Sequence, residues 1–292
     1  MTVVPPPLAL VHSGSQPAIT LVVLGSAVLH ATWNAIAKSI KDQLAAFTLI
    51  SLGSVPVVLL IPFAAHPAAA SRPFIAVSAL LHVAYGTTLM LAYKVGDLGQ
   101  IYPLARGISP LLVAVVAAVT VHERLDLPRL GGVLLVCAGF GSLVLVGGRL
   151  HLERAALVPA LGTGLLIAAY TVIDGIGVRR SGTALGYSIW LFTLESPMIP
   201  LFAFARRGRG LAAELRPVWG IGILGGMLSL LAYALVIWAQ SRGALAAVAA
   251  LRETSVIIAA VIGAVFLHEP FGRRRIVAAA LVAGGIVLLN LR

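Results

Sequence analysis

The sequence predicts an all-α integral membrane protein, with ten transmembrane helices arranged as two inverted five-helix repeats around a central cavity. Three observations lead to this fold class. The composition is 60% hydrophobic and only 11% charged, which is typical of membrane proteins. Apolar runs long enough to cross a bilayer recur along the chain, and its two halves repeat each other. Continuous apolar runs satisfy their backbone hydrogen bonds in lipid only as helices.

Ten apolar runs, each close to the roughly 20 residues that cross a bilayer, are predicted as helices. They lie near residues 17–38, 44–65, 73–94, 98–121, 129–147, 156–177, 183–205, 217–239, 244–267 and 274–291. Residues 1–16 are expected to form a leader without Lys or Arg, and the first run is too long for a cleaved signal peptide. The repeats are therefore placed at 17–147 and 156–292, joined by a linker at 148–155.

The repeat is visible at an offset of 146 residues, half of the 292-residue length. Apolar low complexity would not keep charged residues in register, so the repeat is internal duplication. A five-helix unit begins and ends on opposite sides of the membrane, so its second copy is inverted, and inverted repeats fit a protein that exposes one midplane site to each side in turn. The polar residues in register are Arg106 with Arg252, Ser109 with Ser255, His122 with His268, Glu123 with Glu269, and Arg129 with Arg275.

The net charge of +11 is carried by basic residues at the predicted helix ends. We interpret them as membrane-surface anchors that interact with lipids, and we expect no nucleic-acid partner. Twelve Lys and Arg residues follow the odd-numbered helices and seven lie on the other side, so the positive-inside rule alone places both termini outside. The chain has one cysteine and no Walker A string, which excludes an intrachain disulfide and argues against a resident ATPase.

Polar residues inside the predicted spans are the candidates for function, because a charge is costly there. His30, Trp33 and Asn34 share one face of the first helix. The sixth helix places Tyr170 and Asp174 at the corresponding positions, 140 residues later. This face either looks into a cavity or joins helices by hydrogen bonds.

Arg106 and Arg252 occupy equivalent positions in the fourth and ninth helices. One hypothesis is that each guanidinium binds a substrate carboxylate or phosphate. The other is a structural ion pair with Glu253, Asp174 or Glu195. Arg252 and Glu253 are adjacent and point about 100° apart on a helix, so Glu253 is as well suited to serve Arg106.

Four residues are candidates for proton coupling, because burial or a near-neutral reference pKa suits that role. Four aromatic residues either line the site or form interfacial belts. We interpret the His122–Glu123 and His268–Glu269 pairs as helix-end anchors, and we predict no metal site and no cofactor. The coupling candidates are His30, Asp174, Glu195 and Glu253, and the aromatic candidates are Tyr85, Tyr102, Trp190 and Tyr233.

The stretch from His30 to Asn34, the segments 102–107 and 251–255, and the His-Glu pairs that close two helices resemble EamA-type members of the drug/metabolite transporter superfamily. The resemblance covers essentially the whole chain. It implies a basket of helices around a central cavity, with helices five and ten at the periphery and both termini in the cytoplasm, opposite to the basic-residue count. Bacterial members of this kind resemble amino acid exporters.

From this resemblance we expect a non-enzymatic secondary transporter of the bacterial inner membrane that exports small metabolites by alternating access. Amino acids, aromatic or neutral such as threonine and methionine, are the expected substrates. We expect the protein to act as a monomer. The alternatives are a multidrug, sugar-phosphate or nucleotide-sugar transporter on the same scaffold, an intramembrane enzyme, and a channel. No catalytic constellation and no repeated filter string supports the last two.

Overall fold

A computed structural model describes residues 16–95, 98–120, 122–123, 125–146, 149–150, 154–258 and 273–290. Nearly all of these residues are helical, as the apolar runs predict. In the first half the helices are α1 Gln16–Ser39, α2 Gln43–Ser54, α3 Arg72–Val95, α4 Leu98–Thr120 and α5 Leu127–Val144. In the second half they are α6 Arg154–Ser181, α7 Ala184–Glu195, α8 Met198–Arg207, α9 Leu211–Leu215, α10 Trp219–Gln240, α11 Leu245–Arg252 and α12 Arg273–Asn290.

Three of the predicted spans are not single α-helices. α2 continues as a 3₁₀ helix over Val55–Phe63, where Pro56 lacks the N–H that an α-helical bond would need. The span near 183–205 breaks into α7 and α8 just before Pro197. The ninth span turns at Glu253 and resumes over 254–258, and its predicted remainder to 267 lies outside the described residues.

The connections also differ in detail from the expectation. Part of the linker predicted at 148–155 has regular structure. The strand β2 Arg149–Leu150 pairs antiparallel with β1 Leu145–Val146, and α6 begins at Arg154 within the predicted linker. Three of the described helices have side-chain N-caps. Asp42 accepts from the backbone N–H groups of Leu44 and Ala45 at the start of α2, Asp126 accepts from Arg129 in α5, and Thr183 accepts from Gly186 in α7.

Five helical stretches are long and apolar enough to cross a membrane, and shorter apolar helices accompany them. The stretch Ala184–Gln240 contains 57 residues, which is more than one crossing of roughly 20 residues requires. Large apolar side chains such as Leu21, Val119 and Leu165 lie on the outside, where lipid would cover them. The chain is a multi-pass membrane protein.

The helices pack in pairs across the two halves of the chain. α5 packs most extensively on α12, α1 on α10, and α3 on α6. Glycines allow the closest of these approaches: a Cβ on Gly132 would lie 2.8 Å from the carbonyl oxygen of Gly285, and one on Gly285 would lie 2.7 Å from that of Gly132. Small residues at such contacts are typical of membrane helices.

Candidate functional site

The polar face of α1 is buried, and it meets the side chain of Arg106 from α4. The indole Nε1 of Trp33 donates to Nδ1 of His30 across 3.1 Å, and the two rings meet edge to face at 5.0 Å. The amide of Asn34 donates to the carbonyl of His30 at 2.8 Å. The buried Oδ1 of Asn34 accepts no hydrogen bond from the part of the chain that the structure describes. This face therefore offers an acceptor as well as the imidazole.

Arg106 reaches from α4 to the turn after α11, and polar groups of that segment and of α1 contact its guanidinium. Its Nη1 donates to Oε2 of Glu253 at 3.0 Å and to Oγ of Ser255 at 3.2 Å. Its Nη2 contacts Nε2 of His30. Arg106 and Glu253 are both fully buried. Of the ion partners considered from the sequence, Arg106 takes Glu253.

The His30 ring lies between two groups that can only donate hydrogen bonds, the Trp33 indole and the Arg106 guanidinium. A neutral imidazole has one acceptor nitrogen and one N–H. At most one of the two groups can therefore donate to the ring at a time. The second must donate to another acceptor.

Arg252 lies at the equivalent position of α11 and is also buried. Its Nη2 donates to the Tyr170 hydroxyl at 2.8 Å, and its guanidinium lies 5.8 Å from the Tyr233 ring centre. Its Nε is 3.8 Å from Oε1 of Glu253, beyond hydrogen-bond distance. Glu253 therefore stands between both arginines and binds Arg106 more closely.

Acidic groups form the other end of this polar interior. Asp174 of α6 is fully buried and accepts from the hydroxyls of Tyr187 at 2.8 Å and Tyr233 at 2.5 Å. Oε2 of Glu195, at the end of α7, is 3.6 Å from Nδ1 of His82 in α3. Two carboxyl groups thus lie on the α3–α7 side, apart from the arginines.

Tyr170 joins the two ends. Its ring stacks on His82 at 4.1 Å and meets Tyr85 and Tyr233 edge to face at 5.5 and 5.8 Å. Its hydroxyl binds Arg252. Of the predicted aromatic residues, Tyr85 and Tyr233 therefore lie at the centre with Tyr170.

Of the two other aromatic candidates, Trp190 does not join this cluster in the structure. Trp190 lies beside His66 near the ends of α3 and α7, in a cavity of about 360 Å³ whose lining includes Arg72 and Leu194. The side chain of Tyr102 lies outside the described part of the structure. Trp190 therefore contacts His66 and an apolar cluster that includes Ile75 and Leu191.

Sequence reasoning missed His82 and Tyr187, which contact Glu195 and Asp174. His82 had a usable signal, since it is an ionisable residue in the middle of the predicted span 73–94. Tyr187 had none, because a tyrosine near a helix start is ordinary at membrane interfaces.

The first His-Glu pair has a structural role that spacing does not reveal. The carboxylate of Glu123 accepts from the backbone N–H groups of Leu245 at 2.8 Å and Ala246 at 3.2 Å. It therefore caps the start of α11 from just beyond the end of α4, and a negative charge is favourable at a helix start. His268 and Glu269 lie outside the described residues. Within the described ranges, no group of three or more His, Cys, Asp or Glu side chains could hold a metal ion.

Comparison with known proteins bears on the family and the fold of this chain. The EamA-like transporter family model matches residues 154–291, the expected second repeat. One solved structure, titled only as the crystal structure of a protein, has a TM-score of 0.68 and 14% sequence identity, and covers 94% of this chain and 96% of its own. That likeness shows a shared fold. No curated protein matches the sequence. The second half of this chain therefore carries the match to the EamA-like transporter family, the family that its sequence resembles.

Proposed function

We propose that this protein exports amino acids, aromatic or neutral ones such as threonine and methionine, across a bacterial inner membrane by alternating access. The observation that carries the proposal is the polarity of the buried interior. Two arginines lie at one end and two carboxyl groups at the other, with Tyr170 between them. A zwitterion has the matching distribution of charge.

The substrate's carboxylate is assigned to Arg106 and Arg252, whose guanidinium groups suit planar anions. Its ammonium group is assigned to Asp174, with Asn34 Oδ1 as a neutral acceptor. The rings of Tyr85, Tyr170 and Tyr233 then form the walls that contact the substrate side chain. Tyrosines already donate to Asp174, so an ammonium group would replace or join them.

The proposed architecture is the pair of inverted repeats, 17–147 and 156–292, around this site. Reciprocal contacts support it: Gly132 meets Gly285, and Gly139 meets Ala278. At the offset of 146 residues these two contacts are copies of each other, as a two-fold axis requires.

The central contacts and the helix packing follow the same symmetry. In the first repeat Arg106 contacts His30, and in the second repeat the equivalent Arg252 contacts Tyr170. Likewise α1 of the first repeat packs on α10, and its counterpart α6 packs on α3. Rocking one half against the other would expose a site at their interface to each side of the membrane in turn.

Proton coupling forms part of the proposal. Asp174, Glu195, Glu253 and His30 are the candidate groups, and the His82–Glu195 contact at 3.6 Å gives Glu195 a titratable neighbour. A group that binds a proton in one state and substrate in the other would couple the two flows. We expect the protein to act as a monomer in contact with membrane lipids.

The test is counterflow into proteoliposomes that contain the purified protein and are preloaded with an unlabelled amino acid. Labelled amino acids are then offered one at a time. We expect accumulation of neutral or aromatic amino acids, its loss in Arg252→Ala, its weakening in Asp174→Asn, and its retention in Arg242→Ala, an exposed arginine just after α10. If a phosphorylated sugar or a cationic drug exchanges and no amino acid does, the proposed substrate class is wrong.

A further inference from the structure

We propose that Glu253 sets the charge of the substrate that the central site accepts: it neutralises one of the two buried arginines and so selects a group with a single negative charge. This inference rests on the proposed transport function and concerns the same site. It assigns Glu253 a role in specificity, separate from proton coupling.

The contacts of Glu253 support this role. Its carboxylate is fully buried and lies between the arginines, with Oε2 3.0 Å from Arg106 Nη1 and Oε1 3.8 Å from Arg252 Nε. Oε1 accepts no hydrogen bond from the described residues. The carboxylate is therefore held by Arg106, and Nε of Arg252, which has no acceptor among the described residues, is available for a second anion.

The repeat shows that this carboxylate is an addition to one half. Arg106 and Ser109 recur as Arg252 and Ser255, but the residue after Arg106 is Gly107, whereas the residue after Arg252 is Glu253. The two arginines thus share one acid, because only the second repeat has a carboxylate at the following position. A structure that needed both arginines fully paired would be expected to repeat the acid as well.

The charge balance then gives a preference. Arg106, Arg252 and Glu253 together carry a formal charge of +1, and charges interact strongly in a buried site. One carboxylate brings the cluster to neutrality. A dianion leaves a buried negative charge without a partner, which is costly. Removing the charge of Glu253 would leave +2 and favour the dianion.

The experiment uses pairs of amino acids that differ by one negative charge and little else, glutamine with glutamate and asparagine with aspartate. Counterflow of each labelled compound is measured in proteoliposomes of wild type, Glu253→Gln and Glu123→Gln. The control also loses one carboxylate charge, but at the start of α11. Folding of each variant is checked by its elution as a single species in detergent.

We expect the wild type to favour the neutral member of each pair. We expect Glu253→Gln to move the ratio at least tenfold towards the acidic member, and Glu123→Gln to leave the ratio unchanged. Equal loss of both fluxes in folded Glu253→Gln, or a ratio within twofold of wild type, would overturn the proposal. A shift of the same size in the control would overturn it as well.

A second variant covers the case in which Glu253→Gln does not fold. Ser255 Oγ is 3.2 Å from Arg106 Nη1, so Ser255→Asp adds a negative charge beside the same guanidinium. We expect it to move each ratio further towards the neutral member, and no shift or a shift towards the acidic member contradicts the proposal.

Failure of the proposed function gives a different result. If the wild type exchanges no amino acid but does exchange a phosphorylated sugar, the substrate class is wrong. The charge inference is then decided by the ratio of glucose 6-phosphate to glucose flux, which Glu253→Gln should raise at least tenfold. An unchanged ratio overturns it.

Discussion

Nη1 of Arg106 donates to Oε2 of Glu253 across 3.0 Å, although the residues are 147 positions apart in the chain. The pair joins α4 of the first half to the turn after α11 of the second. Both side chains are buried, so neither charge has water to stabilise it if the other is removed.

Arg106→Met should therefore destabilise the protein strongly. Removing one partner of a buried ion pair typically costs about 3–5 kcal/mol, whereas replacing both with apolar groups is often neutral. We expect the double variant Arg106→Met/Glu253→Met to recover most of the loss. Unfolding followed by circular dichroism in mixed micelles with increasing SDS measures both. A double variant as unstable as the single one would show that the ion pair is not the cause.

Asp174→Asn should weaken recognition of the substrate's ammonium group. The amide keeps the size of the side chain but removes its charge, and charge-assisted hydrogen bonds are about twice as strong as neutral ones. We expect the half-saturating concentration of leucine as a competitor in counterflow to rise about tenfold or more, with no change for 4-methylpentanoate, which lacks the amino group. Tyr187→Phe removes a hydrogen bond to the same carboxylate and serves as the control for local packing. Equal weakening for both competitors would place the ammonium elsewhere.

Gly132→Ala should separate α5 from α12. A Cβ there would lie 2.8 Å from both the carbonyl oxygen of Gly285 and the Leu289 side chain, so the helices must move apart. Overpacking of this kind costs about 1–3 kcal/mol. A Cβ on Gly141 of the same helix would have no neighbouring atom within 4 Å, so Gly141→Ala should leave the melting temperature in detergent within a degree of wild type. Similar shifts in both variants would argue against close packing at Gly132.

Asp42→Asn tests a contact at the membrane surface, where α1 meets α2. Arg207 donates to the Asp42 carboxylate, Nη2 to Oδ1 at 3.0 Å, and this hydrogen bond lowers the pKa of Asp42. A lowered pKa contributes stability that is present above the unfolded value of about 4 and is lost as the pH falls through the folded value. Asn keeps the N-cap of α2 and removes only the charge.

We expect Asp42→Asn to melt slightly below wild type at pH 7. The loss in the free energy of unfolding should be less than about 1 kcal/mol, because the pair is exposed. The difference in melting temperature should close as the pH is lowered towards 3, and added salt should reduce it at pH 7. Melting curves from pH 3 to pH 7 measure this. A gap that widens at low pH would contradict the assignment.

The positions of most helices were predictable, because each span in lipid must satisfy its backbone hydrogen bonds within itself. The predicted span 73–94 became Arg72–Val95, and 217–239 became Trp219–Gln240. The breaks were harder to predict. Pro56 and Pro197 are visible in the sequence, but a proline in a span can either kink or interrupt a helix, and its neighbours decide which.

The candidate site was predictable to the level of residue types. The helical face of His30 and Asn34 and the repeated arginines identified buried groups correctly. Trp190 was indistinguishable from Tyr233 in the sequence, since both are aromatic residues within apolar spans. Their separation, one beside His66 and the other on Asp174, depends on how α7 and α10 rotate about their axes.

The sequence by itself determined that this is a multi-pass membrane protein, that it carries a few polar residues within apolar spans, and that its halves share a register, because hydropathy and repetition are properties of the chain. Only the tertiary structure decided that Glu253 joins Arg106, that Tyr170 links Arg252 to His82, and that Glu123 caps α11. Each of these contacts joins residues far apart in the chain. Local spacing cannot specify them, since they follow from which helix faces meet when the apolar surfaces and glycine contacts pack.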